Sequence, residues 1–210
     1  MFLRVAVIFF VFFSSAVWAQ DIVGKVQEQY ESLKAFQAEF EQILTNAATK
    51  EQEQRYGKIY FKKPRLIRWE TTRPEAELLI VGQDIVWNYF VEEEIAYKYP
   101  VQTVLSSKTM IRFISGQANL KEDFIVENQG LDQELFKLKL IPKNPEPNLV
   151  LAYIWVDQES FLLKKVLLVD FFGNGNEVRL KNLELNPLLE DSLFKFNPPK
   201  GVQIQDNTQE

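Results

Sequence analysis

The 210-residue sequence contains no cysteine and no histidine. Without cysteine there is no disulfide, no thiol nucleophile, no thiolate site for zinc or an iron–sulfur cluster, and no lipid anchor on an N-terminal Cys. Without histidine there is no Ser-His-Asp triad, no imidazole ligand for zinc or haem, and no side chain that ordinarily titrates near neutrality. Catalysis would have to rest on carboxylates, Lys or Tyr. No two carboxylates stand in a context that would separate their pKa values, so the protein is not expected to be an enzyme, and no cofactor or metal is called for. Asp and Glu (29) outnumber Lys and Arg (24), giving a formal charge of -5. That balance argues against nucleic acid, whose phosphates draw on a basic excess.

The first residues carry one positive charge, Arg4, then the apolar run Val5 to Phe13, then Ser14-Ser15-Ala16-Val17-Trp18-Ala19. This order is that of a secretory signal peptide over residues 1–19, with Val17 and Ala19 at the cleavage positions and Gln20 opening the mature chain. The apolar run is short of the ~20 residues that a spanning helix needs. Residues 20–210 are then expected to form one exported, soluble domain with a sizeable core.

Within that domain, Ile22, Val23, Val26, Tyr30 and Leu33 recur at spacings near three and four, with Lys25, Glu28, Glu31 and Lys34 opposite: a helix over Asp21 to Leu33. The period then changes to two. Phe36, Ala38, Phe40 and Gln42 alternate with Gln37, Glu39 and Glu41, so a half-buried strand follows directly. Further strands are expected near 54–62, 66–72, 77–81, 85–90, 95–99, 124–127, 135–141, 149–156, 162–171 and 177–185. Turn residues separate them: Lys63-Pro64, Arg73-Pro74, Gly82-Gln83, Asn144 to Asn148, and Gly173-Asn174-Gly175-Asn176. Many short strands at this spacing favour a large antiparallel sheet or barrel. Pro100 to Leu120 breaks the pattern, with Val101, Val104, Leu105, Met110, Ile111, Phe113 and Ile114 spaced as in two short amphipathic helices. Those helices and the N-terminal one each need a surface to cover, which a curved sheet closed on its concave side provides.

Three clusters invite a chemical reading. Glu92-Glu93-Glu94 is read as a solvated hairpin turn rather than a cation site, because consecutive side chains point apart. Gly173 to Asn176 lacks the following helix of a phosphate loop and sits between alternating strands, so it reads as a hairpin turn. The basic group Lys62, Lys63, Arg65 and Arg68 is either a charge-protected edge strand or a contact for an anionic head group or partner. The strongest signal is large apolar side chain: 17 Phe, 7 Tyr and 4 Trp. Ile67 with Trp69, and Ile85 with Trp87 and Tyr89, alternate onto one expected sheet face. Such rings make either an ordinary core or an apolar cavity that holds something greasy.

Across the domain the residues resemble the LolA family of periplasmic lipoprotein carriers. The marks are LKAFQAEFEQ at 33–42, GKIYFKKPRLIRW at 57–69, Pro74, WNY at 87–89, DFFGNGN at 170–176 and FKFNPPKGV at 194–202. The resemblance implies a mainly β fold with an α lid, an unclosed antiparallel β-barrel (half-barrel) covered by short α-helices that enclose an apolar cavity. Acyl chains would occupy that cavity, lined by Ile67, Trp69, Leu79, Trp87, Met110, Phe113 and Ile114. The family commonly places Arg before the Pro that matches Pro64, where it holds the lid shut. Lys63 stands there instead, a point charge in place of a rigid fork, with Arg65 able to share the task.

The resemblance further implies a monomeric periplasmic chaperone with lipoprotein cargo as its ligand. It would take cargo from an inner-membrane ABC-type exporter and pass it to an outer-membrane lipoprotein receptor. The alternatives are a carrier or sensor of another lipid on the same fold, and a hydrolase acting through Glu or Tyr.

Overall fold

The computed structural model describes residues 16–102, 109–116 and 118–208, with side chains from Ile22 onward except Thr109. Helix α1 (Ala16–Ser32) leads into β1 (Ala35–Thr45), and β2 (Gln52–Lys62), β3 (Leu66–Arg73), β4 (Glu77–Val81), β5 (Ile85–Phe90) and β6 (Ile95–Pro100) follow. Helices α2 (Thr109–Ile114) and α3 (Leu120–Asp123) interrupt the strands, which resume as β7 (Phe124–Asp132), β8 (Leu135–Pro142), β9 (Leu151–Asp157), β10 (Leu163–Val169) and β11 (Gly175–Leu185). A short 3-10 turn (Asp191–Phe194) and β12 (Gln203–Asp206) end the described chain.

Among the described residues twelve strands form one sheet in the order β12-β6-β5-β4-β3-β2-β1-β11-β10-β9-β8-β7. Every pairing is antiparallel except β12 with β6. The end strands β12 and β7 are not paired with each other, so the curved sheet is an unclosed barrel. Strand β11 joins the two halves of the sheet by pairing with β1, which has β2 on its other side. Its alternation is visible in burial, with Phe36, Ala38 and Phe40 buried and Glu39 exposed.

The helices cover the concave face. In α1 the residues buried are Ile22, Val23, Val26 and Tyr30, with Leu33 buried just past its end, the face that the helical spacing predicts. It packs on β7 and α3, while α2 packs on β10. Asn119 caps α3 by accepting from the Lys121 and Glu122 N–H groups, and the Asp123 carboxylate accepts from the Asn119 N–H in return. Under these helices lies one core cluster that joins both halves of the sheet, including Phe36, Phe61, Ile67, Val86, Phe113, Ile114, Ile154 and Val178.

A second, smaller cluster lies on the outer face, where Ala35, Leu189 and Phe194 pack with Tyr60, Leu66 and Leu193. The C-terminal segment therefore straps the convex side. Lys62 Nζ donates to the Leu189 carbonyl and pairs with Asp191 at 2.6 Å, and Arg68 Nη1 donates to the Leu193 carbonyl.

Expected and observed elements agree within a few residues, with four differences. Strand β7 runs on to Asp132 rather than stopping at Glu127, and β10 ends at Val169, leaving Phe171 in the turn. Strand β12, which is not among the expected strands, is held by parallel pairing to β6. The second helix expected in the insertion, Met110 to Ile114, is α2, and α3 is an additional short helix after it, set by its Asn119 cap. Val104 and Leu105, like residues 1–15, lie outside the described residues, and α1 begins at Ala16, ahead of the expected mature start.

Candidate binding cavity

Pairing register places the inward-facing residues in rows across the sheet. At the closed end Phe36 opposes Phe61, which opposes Ile67, then Val81 and Val86. The next row is Ala38, Ile59, Trp69, Leu79 and Asn88. After it come Phe40, Gly57, Thr71 and Glu77, then Gln42 with Arg55, then Leu44 with Glu53. On β1 to β4 the inward face is apolar at one end of the sheet and, Leu44 apart, polar toward the other. The polar end is where the β1–β2, β3–β4 and β10–β11 turns lie.

A cavity of about 740 Å³ opens at that end. Its floor and walls include Trp69, Leu79, Leu168 and Leu44 from the sheet, with Met110 and Ile111 from α2 as its cover. Around its mouth stand the amides Gln42, Asn46, Gln52, Asn174 and Asn176 and the charged Glu51, Glu53, Arg55, Glu77 and Asp170. The volume falls in the range of roughly 300–1,000 Å³ that holds one ligand-sized apolar body.

The walls are pre-organised. The Phe40 and Trp69 rings meet at 4.6 Å between centroids. Phe40 can lie there because its cross-strand partner is Gly57, where a Cβ would stand 2.8 Å from the ring and 1.9 Å from the Glu70 carbonyl oxygen. At the mouth, Arg55 Nε donates to Glu53 at 2.6 Å and Nη1 to Glu77 at 3.3 Å. Gln42 Nε2 donates to Asn176 Oδ1 at 2.9 Å. Asp170 Oδ1 accepts from the Phe172 and Asn174 N–H groups, and Asn174 Oδ1 accepts from the Ala47 N–H, tying the β10–β11 turn to the β1–β2 turn.

Of the residues expected to line the cavity, Trp69, Leu79 and Met110 do so. Ile67, Phe113 and Ile114 are packed in the core behind it, at 1–3% exposure. Trp87 is on the other side of the sheet. The Gly82–Asp84 turn pairs Ile80 with Trp87 and Leu79 with Asn88, so the even-numbered Val86 and Asn88 face inward on β5. Trp87 instead meets Phe196 of the C-terminal strap at 5.4 Å, and Tyr89 meets the same ring at 5.3 Å. Alternation reports that two residues share a face, but which face depends on register across the turn.

The expected latch divides in two. Lys63 Nζ donates to the Glu31 carbonyl at 2.5 Å, and the Lys63 N–H donates to the Lys34 carbonyl, so this residue joins the β2–β3 turn to the end of α1. The last turn of α1 has no basic residue of its own, and Lys63 brings a cation to its unpaired carbonyls. Arg65 does not reach a helix. Its Nη2 donates to the Gln83 carbonyl in the β4–β5 turn, 2.6 Å away. Because β2 and β3 are interior strands, the basic group is not an edge strand, and all four of its cations donate to the chain's own carbonyls. Glu92, Glu93 and Glu94 lie exposed in the β5–β6 turn as expected, and of the turn expected at Gly173 to Asn176 the first two residues lie in the β10–β11 turn while Gly175 and Asn176 already pair in β11.

Sequence reasoning missed Leu44, Ile111 and Leu168 of the apolar wall and the whole polar mouth. The continuation of the Phe36-Ala38-Phe40 alternation into Gln42 is the signal that could have located the mouth. Among the described residues no three acidic side chains converge as a metal site, and no helix is long and apolar enough to cross a membrane.

Fold and cavity together define a half-barrel protein with an amphipathic receptacle under a helical cover. The family model for outer membrane lipoprotein carrier protein LolA matches residues 31–197, and the chain belongs to that family. Similar relatives include an outer-membrane lipoprotein carrier protein of Methylococcus capsulatus, 29% identical over 182 residues and 86% of each chain. Another, from Pasteurella multocida, is 27% identical over 100% of this chain and 98% of its own. Among solved structures, an uncharacterized conserved protein of Thermus thermophilus superposes with a TM-score of 0.58 at 16% identity, covering 90% of this chain and 99% of that one. The Mycobacterium tuberculosis lipoprotein LppX has a TM-score of 0.55 at 10% identity, covering 84% and 99%. These two share the fold.

Proposed function

We propose that the protein is a non-enzymatic periplasmic carrier that shelters the acyl chains of lipoproteins between the inner and outer membranes. The observation that carries this reading is the polarity gradient along the inward faces. An apolar lining, Trp69, Leu79 and Leu168 from the sheet and Met110 from the cover, passes into an amide and charged mouth, which suits a ligand with a greasy body and a polar head. Cargo would come from an inner-membrane ABC-type exporter and go to an outer-membrane lipoprotein receptor, with residues 1–19 serving as the cleaved export signal and 20–210 as a single monomeric domain.

Release sets the energetic limit. Burial is worth ~0.8 kcal/mol per methylene, so two long acyl chains could nominally contribute ~20 kcal/mol, near the ceiling for non-covalent affinity. A working carrier must divert much of that into opening its cover, here α2 over the cavity and α1 held by Lys63. The test is soluble release of a lipoprotein from membrane vesicles by the purified protein. Met110→Glu, which puts a charge on the cover's contact with the cavity, is expected to abolish the soluble complex while the circular dichroism spectrum is kept. A folded variant that carries cargo normally would overturn the assignment. Mass spectrometry of lipid co-purified from the native host separates lipoprotein cargo from another lipid.

A further inference from the structure

We propose that the charged mouth biases the cavity against amphiphiles with anionic head groups, so that it prefers acyl chains carried on uncharged or cationic heads to those of anionic phospholipid. The inference rests on the cavity being an acyl-chain site and specifies which lipids that site accepts.

Among the described residues the charges lining the mouth are Glu51, Glu53, Glu77, Asp170 and Arg55. Four carboxylates face one guanidinium, and that guanidinium is already bound to two of them, Glu53 and Glu77. Arg55 is therefore not available as an open cradle for a phosphate. The hydrogen bonds that Glu51 and Asp170 accept come from uncharged donors, the Thr49 hydroxyl for Glu51 and the Phe172 and Asn174 N–H groups and the Asn174 side-chain amide for Asp170. The polar groups beside them are amides, which bond esters and peptide amides without demanding charge. The apolar floor directly beneath fixes where a bound head must sit: an acyl chain against Trp69 and Leu79 holds its head among these carboxylates.

Three uncompensated negative charges at about 8 Å in a water-like dielectric alter the affinity of a singly charged head on the order of tenfold at low salt. The effect is screened once the Debye length falls to a few ångströms. A cavity with a neutral or basic mouth would bind anionic and uncharged single-chain lipids alike, or favour the former. In an envelope whose membranes offer phospholipid in excess, such a mouth keeps the receptacle available.

The experiment displaces a fluorescent apolar probe from the purified protein with two lipids of equal chain length, monoacylglycerol and lysophosphatidylglycerol. Monoacylglycerol is expected to bind about tenfold more tightly at about 10 mM salt, with the ratio approaching one at about 500 mM. Glu51→Gln with Glu53→Gln, both on exposed positions, should bring the low-salt ratio to about twofold. The same charge change at the opposite end of the sheet, Glu134→Gln with Glu159→Gln, should leave it at the wild-type value. Equal binding of the two lipids at low salt, a ratio indifferent to salt, or equal effects of the two double variants would each overturn the proposal. If monoacylglycerol displaces no probe, the acyl-chain reading falls with it; if it does and the ratio is one, only the selectivity falls.

Discussion

Tyr30 is where the cover, the sheet and the insertion are joined, and its replacement by Phe tests that junction. The residue lies on the buried face of α1, its hydroxyl accepts from the Leu163 N–H at 3.3 Å, and a Cβ on Gly116 would stand 2.7 Å from its side chain. Tyr30→Phe keeps the ring and strands a buried N–H at the β9–β10 irregularity, where the strand register shifts. Leaving such a donor unpaired costs about 1–3 kcal/mol. For a domain of this size each kcal/mol lowers Tm by roughly 2–4 °C.

The same residue has a distinct alkaline signature. Burial, opposed only by the Leu163 N–H, raises the phenol above its ordinary pKa of 10.0. In the unfolded chain Tyr30 titrates at its ordinary value, so its contribution is intact below that pH. As pH rises further the unfolded state loses a proton that the folded state keeps, and stability falls by about 1.4 kcal/mol per pH unit. Urea unfolding at pH 7 should show the variant less stable, and between about pH 10 and 11 the gap should narrow by about that amount. Equal stability at pH 7, or parallel curves through the alkaline range, would refute the reasoning.

Other outcomes follow from single contacts. Lys63→Met should speed hydrogen exchange of the α1 amides by about two- to fivefold while the strands are unaffected, the loss of about 0.5–1 kcal/mol from a cation at a helix C-terminus; Lys63→Arg should not. Gly57→Ala places a methyl against the Glu70 carbonyl and the Phe40 ring, and chemical denaturation should register the upper part of the ~1–3 kcal/mol overpacking range. Asp206 is lowered to about 2 chiefly by its hydrogen bond from Lys98, with the Thr208 hydroxyl and N–H adding to it. This contribution to β12 docking is present above the ordinary carboxylate value of 3.8 and lost as pH falls through about 2. NMR signals of Gln203–Asp206 should shift over that interval, and Asp206→Asn should remove the transition.

Much of the architecture is written in local spacing. The three-and-four recurrence of Ile22, Val23, Val26, Tyr30 and Leu33 names the face that α1 buries, and the alternation of Phe36, Ala38 and Phe40 names the inward face of β1. Such patterns survive because burial selects the same side of an element wherever that element packs. The absence of cysteine and histidine likewise bounded the chemistry without any coordinates.

Three-dimensional pairing decided the rest. Whether Trp87 faces cavity or strap depends on register through the Gly82–Asp84 turn, and a shift of one residue exchanges the two faces. Lys63 reaches the end of α1 while Arg65, two residues on, turns back to the sheet, because a side chain's partner is set by what the fold brings near it. The FKFNPPKGV segment is recognisable as a motif, yet its work as a strap on the convex face emerges only when Phe194 and Phe196 find their neighbours. Above all, composition reports how much apolar surface exists, while the rows across the sheet decide that it ends in a polar mouth. That arrangement joins residues far apart in the chain, such as Gln42, Arg55, Glu77 and Asn176, and no local period encodes it.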